Sequence, residues 1–224
     1  MPLKIIKIFF ALLSLNISSD SLKYNSLNFH GVIGSINTPS ARFFDKNDIS
    51  FSYSDNNSFE VRSISFMPFD FIEISSSKIN TSNQEIVNKF DKEINSTSIK
   101  LRIKEEGIWP ALAIGLNNFD GPSFNASEYF VANYGQGNID FSLGIGWGAL
   151  NKHDNARNKL IDIDDNLAIR ESYEKYFVDV VSRDYFSGSH ISFFGGINYV
   201  FDELFLFKIE YDSYKDPFNE VSGD

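Results

Sequence analysis

The sequence predicts an all-β fold: an antiparallel up-and-down meander of about ten strands forming a complete or partial outer-membrane-type β-barrel, with one long, partly helical loop. Three observations predict it. Strand-like runs follow one another without a credible βαβ unit. The run from Asp140 to Gly148 alternates large apolar residues with small or polar ones, as a two-faced strand does. The long connections, at 77–96, 118–127 and 149–188, are separated by two strands each time. They therefore lie at one end of the meander, as the long loops of outer-membrane barrels do.

The first residues have the features of a secretory signal peptide, which we assign to residues 1–19. Lys4 and Lys7 supply the positive charge, and Ile8–Leu15 forms a short apolar core that is followed by small residues. The apolar run is shorter than the ~20 residues that a membrane-spanning helix requires. We therefore expect export, and a single β-barrel domain, complete or partial, over residues 20–224 with a loop insertion at 149–188.

The strand-like runs are bounded by Gly, Pro, Asn, Asp and Ser clusters. Residues 77–96 are rich in Asn, Ser and Lys, so we expect a long exposed connection there. Within 149–188, apolar spacing predicts one amphipathic helix folded onto the rest of the chain, at Ile169, Tyr173, Tyr176, Phe177 and Val180. The predicted strands are Phe29–Ile36, Ile49–Tyr53, Phe59–Met67, Phe71–Ser76, Ser98–Lys104, Ala111–Asn117, Glu128–Tyr134, Ile139–Gly148, Ile191–Val200 and Phe205–Tyr211.

Composition limits the possible functions. A net charge of −10, without a cluster of Lys and Arg, argues against nucleic-acid binding, because that affinity rests on clustered basic side chains. The absence of cysteine excludes disulfides, thiolate metal sites, a cysteine nucleophile and a lipid-modified N-terminal cysteine. His30, His153 and His190 lack the spacing of metal ligands. The sequence also supports no Ser-His-Asp constellation, so we expect no catalytic residues, no cofactor and no metal site.

Several short patterns resemble functional motifs but have simpler explanations. Gly144, Gly146 and Gly148 alternate with strand residues and precede no helix, so they favour a bent strand over a phosphate loop. The acidic run Asp162–Asn166 lacks the glycine and distal glutamate of a calcium loop. Asp120 and Tyr214 lie in segments that place carboxylates beside aromatic residues, as glycan-binding sites do, although turn chemistry also explains them.

Aromatic residues lie near predicted strand ends, as in the aromatic girdles of membrane barrels; the core and edges of a soluble sandwich are the alternative. They are Trp109, Tyr129, Tyr134, Trp147, Tyr199, Tyr211 and Tyr214.

A series of segments resembles the YjbH-type exopolysaccharide-biosynthesis family of outer-membrane β-barrels, in family order over about residues 31–212. The segments are Gly31–Arg42, Met67-Pro68-Phe69, Leu101–Lys104, Pro110–Gly115, Ser127-Glu128-Tyr129, Asp140–Gly148, Phe194-Gly195-Gly196 and Glu210-Tyr211-Asp212. Family members are commonly several times longer, and this chain lacks the terminal aromatic residue of many outer-membrane barrels, so we expect a fragment or a barrel with further strands.

The resemblance implies a non-enzymatic, structural or conduit role in exopolysaccharide biosynthesis and export at the bacterial outer membrane. Its implied partners are outer-membrane lipid, exopolysaccharide and other polysaccharide-export proteins. It also assigns the two faces of the 139–148 strand. Phe141, Leu143, Ile145 and Trp147 would contact lipid or its interface, whereas the lumen would be lined by Ser142, Gly144, Gly146 and Gly148.

Two alternatives remain open. A soluble periplasmic β-sandwich that binds glycan would use Asp120 or Tyr214. A glycan-degrading enzyme would need a pair of carboxylates at a defined separation, and the sequence nominates no such pair.

Overall fold

The computed structural model describes residues 25–55, 59–81, 93–121, 125–170, 185–201 and 205–215. Their strands form one antiparallel sheet in the order β1-β2-β3-β4-β5-β6-β7-β9-β10, with the short β8 paired to β9. The predicted all-β meander is therefore confirmed. The strands are β1 (Ile49–Asp55), β2 (Phe59–Phe69), β3 (Ile72–Thr81), β4 (Glu93–Lys104), β5 (Ala111–Asn117), β6 (Ser127–Gln136), β7 (Ile139–Gly148), β8 (Ala156–Arg157), β9 (His190–Phe201) and β10 (Phe205–Tyr211).

The sheet is open in the described part of the chain, with β1 and β10 as its two edges. It is a partial barrel and not a closed one. The predicted strands Ala111–Asn117, Ile139–Gly148 and Phe205–Tyr211 have the predicted bounds. Residues 1–24 lie outside the described residues, so the signal peptide at 1–19 and the domain at 20–224 with its insertion at 149–188 stay predictions.

The predicted long connection at 77–96 is wrong at both ends. Strand β3 continues to Thr81 and β4 already begins at Glu93. Ser77 pairs with Ser96 in the register of these two strands, and both side chains are buried. No apolar alternation marks these strand ends, because their outward-facing side chains are polar as well: Ser76, Lys78 and Asn80 on β3, and Glu93, Asn95 and Thr97 on β4.

The predicted first strand, Phe29–Ile36, is not a strand of the sheet. Among the described residues it makes only isolated bridges, Leu27 with Ile33 and Gly34 with Pro39. Gly31 takes a φ of +80°, which turns the chain where a strand would continue. We call residues 25–48 the inner segment, because they lie against one face of the sheet.

The two faces of the sheet have inverted polarity. On the outer face, large apolar side chains are exposed on strand after strand, for example Phe51 (77% exposed) and Leu143 (67%). On the inner face, many of the buried side chains are polar. The inner-face polar residues include Ser63, Ser65, Glu73, Ser75, Ser77, Ser96, Ser98, Lys100, Asn117, Asn133, Asp140, Ser192, Asn198 and Lys208. Further exposed outer-face residues are Ile49, Tyr53, Ile64, Phe66, Ile74, Leu101, Leu112, Phe130, Phe193, Ile197, Phe207 and Ile209.

The sheet curves around the inner segment. Glu73 on β3 accepts a hydrogen bond from the Ile33 amide, and Glu210 on β10 accepts one from the Ile36 amide. Six steps of about 4.8 Å would separate β3 from β10 by roughly 29 Å in a flat sheet. Ile33 and Ile36 are at most about 10 Å apart along the chain. Two short carboxylate side chains cannot span the difference, so the two strands must bend towards each other.

Apolar side chains of the inner segment pack in a cluster with residues of β2, β5, β6 and β9 and of the turn that follows β7. Ile33, Ala41, Phe43 and Phe44 belong to a buried cluster with inner-face residues of the sheet. The Phe43 ring also lies 4.5 Å from Lys100 Nζ, close enough for a cation–π contact. The remaining members of the cluster are Met67, Ala111, Ala113, Tyr129, Val131, Ala149, Leu150, Phe194 and Tyr214.

The connection between β7 and β9 contains β8 and two 3-10 helices, η1 (Lys159–Asp162) and η2 (Asp165–Ala168). Ile169, the first residue of the predicted amphipathic helix, follows η2 in extended conformation and is exposed. Its other predicted positions, Tyr173, Tyr176, Phe177 and Val180, lie outside the described residues. Within the described ranges, no helix is both long enough and apolar enough to cross a bilayer.

Candidate functional site

Ionisable side chains on the inner face of the sheet contact the backbone of the inner segment, and we take this contact surface as the candidate functional site. Alternation along each strand points these side chains inwards. Lys208 and Glu210 are separated by one residue on β10, so they share a face. Glu73 and Lys100 lie opposite each other in the β3–β4 register.

Glu73 and Lys100 form a fully buried ion pair beneath Ile33. Lys100 Nζ lies 2.6 Å from Glu73 Oε2, and neither side chain is exposed. The lysine also donates to the carbonyl oxygens of Ile33 (3.2 Å) and Arg42 (2.8 Å). Glu73 Oε1 accepts from the Ile33 amide (2.8 Å) and the Ser65 hydroxyl (2.9 Å). These hydrogen bonds help to offset the loss of hydration that burying two charges costs.

Lys208 and Glu210 hold the turn at residues 34–38. Lys208 Nζ donates to the carbonyl oxygens of Gly34 (3.1 Å) and Ser35 (2.7 Å) and to the Ser26 hydroxyl. The Glu210 carboxylate accepts from the consecutive amides of residues 36, 37 and 38 at 2.9–3.2 Å and from the Thr38 hydroxyl at 2.9 Å. Consecutive amides that converge on one anion form a backbone nest, so the turn is built around a carboxylate supplied by the sheet.

Arg42 attaches the far end of the inner segment to β7. Its Nη2 lies 2.5 Å from Asp140 Oδ1 and 2.5 Å from Glu106 Oε2. Asn133 on β6 completes the arrangement, because its Oδ1 accepts from the Ala41 amide (2.7 Å) and its Nδ2 donates to Asp140 Oδ2 (2.8 Å). The guanidinium thus bridges two carboxylates that come from different parts of the meander.

An aromatic stack lies at the other end of the inner segment. The His30 and Tyr214 rings are stacked with centroids 3.9 Å apart, and Tyr214 Oη accepts from Asn117 Nδ2 (2.8 Å). Burial lowers the pKa of His30 to about 3, so the imidazole is neutral at ordinary pH. Burial also raises the pKa of the Tyr214 phenol. This end of the segment is therefore attached by neutral groups.

The four residues predicted to contact lipid differ in exposure. Phe141 and Leu143 are exposed on the outer face of β7, and Ile145 is half-buried. Trp147 lies on the same face but is only 3% exposed, because Phe130 and Phe186 pack against its ring with centroids 6.0 and 5.2 Å away. The exposed apolar side chains are available to lipid, and their contact with lipid stays a prediction.

The four residues predicted to line the lumen lie on the inner face of β7 or at its end. Ser142 donates to the Gly196 carbonyl (3.3 Å). Gly144 and Gly146 leave room for neighbours, since an added Cβ would approach Phe194 to 2.2 Å and Leu150 to 2.5 Å. Gly148 ends the strand with a φ of +63°. That these four residues line a lumen stays a prediction, because side chains of the same protein pack against the inner face of β7.

The remaining candidates are engaged in the fold. Asp164 caps η2 by accepting from the Asn166 amide, and Asp162 pairs with Arg157 at 2.7 Å. Asp120 is buried and accepts from the Thr97 amide (2.8 Å). Among the aromatic residues predicted near strand ends, Trp109, Tyr134, Tyr199 and Tyr211 are exposed, whereas Tyr129, Trp147 and Tyr214 are buried. No group of three potential metal ligands occurs within the described ranges.

Sequence reasoning missed the residues that hold the inner segment: Glu73, Lys100, Asp140, Lys208 and Glu210. A local signal existed for Lys208 and Glu210, which interrupt the apolar Phe205–Tyr211 run at alternate positions. Charged residues in phase on one face of an otherwise apolar strand indicate a polar face. They do not indicate which distant segment that face contacts.

The protein is a curved antiparallel meander with an apolar outer face. A segment of its own chain packs against the inner face, which carries many polar side chains. These two features define its general class. The chain belongs to the family described as "Exopolysaccharide biosynthesis protein YbjH", whose model matches residues 26–221. The resemblance predicted from the sequence is thereby confirmed. Three segments that carried it meet at the candidate site: Gly31–Arg42, the start of Asp140–Gly148, and Glu210-Tyr211-Asp212.

The chain is also similar to a protein of Escherichia coli (strain K12) named "Uncharacterized lipoprotein YjbH". The two are 30% identical over 176 residues, which cover 75% of this chain and 25% of the relative. The chain therefore spans about a quarter of that relative's length. The relative is named a lipoprotein, whereas the present sequence contains no cysteine. No solved structure matches the chain.

Proposed function

We propose that this chain is part of the wall of a bacterial outer-membrane β-barrel that serves exopolysaccharide biosynthesis or export in a structural or conduit role, without catalysis. The inverted polarity of the sheet carries this proposal. A soluble protein places the apolar face of a sheet inwards, whereas a transmembrane barrel places it towards lipid. Here the exposed face is apolar along most of the sheet, and the enclosed face carries many buried polar and ionic side chains beside an apolar cluster.

Strand length supports the proposal. A transmembrane β-strand needs about 9–11 residues. Six strands of the sheet (β2, β3, β4, β6, β7 and β9) are 10–12 residues long. The edge strands β1 and β10 and the internal strand β5 have 7 residues each, so they cross a bilayer only if it is locally thin or if they are tilted less.

Export and membrane association draw support from the name of the relative, because a lipoprotein is exported and held at a membrane. The role in exopolysaccharide biosynthesis draws support from the family description. The proposed partners are outer-membrane lipid, exopolysaccharide and other polysaccharide-export proteins. A non-catalytic role is consistent with the inner-face ionisable groups described above, each of which contacts the chain itself.

The glycan-binding sandwich is less well supported. Its strands would form two facing sheets, whereas the main strands of the described chain follow one another in a single sheet. Its two nominated residues, Asp120 and Tyr214, are buried and bonded to other parts of the fold.

A charge on the outer face tests the membrane proposal. An arginine at mid-bilayer on the lipid face of a barrel costs roughly 2–4 kcal/mol. We therefore expect Leu143→Arg, at a 67%-exposed position on β7, to reduce recovery from the outer-membrane fraction and to remove the heat-dependent shift on a denaturing gel. The chain is expressed with its own N-terminal residues and fractionated.

The matched control is Ile163→Arg, which makes the same kind of change at an 83%-exposed position between η1 and η2, away from the sheet. This variant should fractionate like the parent chain. If Leu143→Arg instead raises the yield of a soluble periplasmic protein without loss of folding, the outer face is exposed to water and the membrane proposal is wrong.

A further inference from the structure

The inner segment is folded largely on itself. From residue 26 to residue 44, the backbone–backbone hydrogen bonds of the described structure join residues within the segment, such as Phe29 to Ile36 and Ser40 to Ile33. None of them joins a strand of the sheet. Backbone pairing with β2 begins only at Asn47 and Asp48, which both bond to Met67. The segment therefore adds no strand to the sheet and can leave it without breaking a ladder.

The sheet holds this segment through side chains and apolar packing. Lys100 and Lys208 donate to its carbonyl oxygens, and Glu73 and Glu210 accept from its amides. The wall behind the segment also carries serines: Ser75 donates to the Gly31 carbonyl (2.5 Å) and Ser77 to the His30 carbonyl (3.0 Å). Water can replace each of these partners once the segment moves, because hydroxyl, ammonium and carboxylate groups are all well hydrated.

We propose that residues 26–44 form a plug that leaves the inner face as a unit, with residues 45–48 as the hinge, and so clears the wall of the conduit. The proposal rests on the conduit role proposed above. Lys208 and Glu210 are the principal anchors, because together they hold both the carbonyl and the amide sides of the turn at 34–38. Release would uncover a wall that includes Ser63, Ser65, Ser75 and Ser77.

Thiol labelling tests this proposal directly, because the chain contains no cysteine that would interfere. Ala113→Cys places a probe on β5 in the buried cluster that includes Ile33 and Phe43 of the plug. Ala126→Cys is the matched control, since it is equally small and buried and is not itself a member of that cluster; its carbonyl accepts from the Ala149 amide, at the turn after β7, and from Arg170. A water-soluble maleimide reacts with each thiol only when that site opens.

We expect Lys208→Met and Glu210→Gln each to speed labelling at residue 113 by at least about tenfold, which corresponds to about 1.4 kcal/mol of lost anchoring. Labelling at residue 126 should stay at the rate of the parent chain. If labelling became equally faster at residues 113 and 126, the segment would be an ordinary part of the core, and its loss would unfold the sheet. Unchanged labelling at residue 113 would mean that the anchors do not control opening. Either result overturns the proposal.

A second measurement needs no anchor variant. With Lys208 and Glu210 unchanged, the thiol at residue 113 should become reactive at a lower urea concentration than the thiol at residue 126. The reason is that releasing the plug exposes less surface than unfolding the sheet. Coincident reactivity at both sites contradicts a separately opening plug. The protein is labelled in detergent micelles if it is recovered from the membrane fraction and in buffer if it is recovered as a soluble protein. The plug is thus tested in either case, so its failure is distinguishable from failure of the membrane proposal.

Discussion

At the scale of single residues, glycine makes room for aromatic side chains on the inner face of the sheet. A Cβ at Gly144 would lie 2.2 Å from Cζ of Phe194, which is buried and packs on that glycine from the neighbouring strand β9. Gly115 receives the Tyr129 ring in the same way, with an added Cβ 2.3 Å from Cζ. The sequence predicts small residues on the inner side of a bent strand at 139–148. The close approach of the Phe194 ring is the steric reason for glycine at position 144.

We expect Gly144→Ala to destabilise the folded chain by roughly 1–3 kcal/mol, as overpacking of a close contact does, because the Phe194 ring must leave its position. Gly107→Ala is the control, since an added Cβ there meets nothing within 4 Å. Urea unfolding followed by tryptophan fluorescence measures both changes. A Gly144 variant as stable as the Gly107 variant would show that the ring relocates at no cost.

The charged residues of the candidate site show where prediction from sequence stops at this scale. Alternation indicated that Lys100 shares a strand face with Ser98 and Arg102. It could not indicate that this face is enclosed, or that Lys100 reaches the Ile33 carbonyl 67 residues earlier in the chain. Sequence periodicity reports which residues share a face, whereas the partner of that face is decided by how the whole sheet curves.

At the scale of elements, Glu128 on β6 holds the connection between β7 and β9 against the outer face. Both of its oxygens bind the Arg170 guanidinium, at 2.6 and 2.8 Å, and one also accepts from the Phe186 amide at 3.1 Å. Phe186 in turn covers Trp147. A single carboxylate therefore fixes two positions that are 16 residues apart in sequence and keeps Trp147 out of solvent.

We expect Glu128→Gln to loosen this attachment, because hydrogen bonds to charged groups contribute about 1.5–3 kcal/mol and the variant loses the charge. The measurement is acrylamide quenching of Trp147 fluorescence in a Trp109→Phe background, since the chain has two tryptophans. Quenching should increase in the Glu128 variant. Glu105→Gln, at an exposed carboxylate that pairs with Arg102, is the control and should leave quenching unchanged. Equal quenching in both variants would contradict the role of Glu128.

The elements predicted best from sequence are those with an apolar face and clear turns. Ala111–Asn117, Ile139–Gly148 and Phe205–Tyr211 alternate strongly, and their bounds are as predicted. Phe29–Ile36 carries the same local signal but pairs with no strand of the sheet. Side-chain contacts with strands far away in sequence decide its position, and a local window contains no information about them. The prediction missed the serine-rich ends of β3 and β4 for a different reason: their outward-facing residues, such as Lys78 and Asn95, are polar as well, so the apolar alternation is lost.

At the scale of the whole molecule, the sheet combines two kinds of stabilisation. Polar and ionic contacts on its inner face attach a segment of the same chain, and apolar contacts join that segment to β2, β5, β6 and β9. The apolar outer face contributes little to this packing. The fold is therefore held together largely from within, and much of the apolar outer face stays exposed.

The open edges of the sheet lead to a prediction about hydrogen exchange. Alternate amides of β1 and β10 point away from their single neighbouring strand, whereas β6 and β7 are paired on both sides. A complete barrel would pair both edges, so the prediction applies to this chain measured alone: in detergent micelles we expect the edge-strand amides to exchange much faster with deuterium than those of β6 and β7. Peptides that cover 139–148 serve as the internal reference.

The opposite outcome would be equally informative about the whole molecule. If β1 and β10 were as protected as β7, both edges would be paired in the folded protein, and the open sheet would close with further strands or with a second copy. Dilution separates these two cases, because protection supplied by a second copy falls with concentration whereas protection within one chain does not. Fast exchange at β1 and β10 at every concentration is the result that the open sheet predicts.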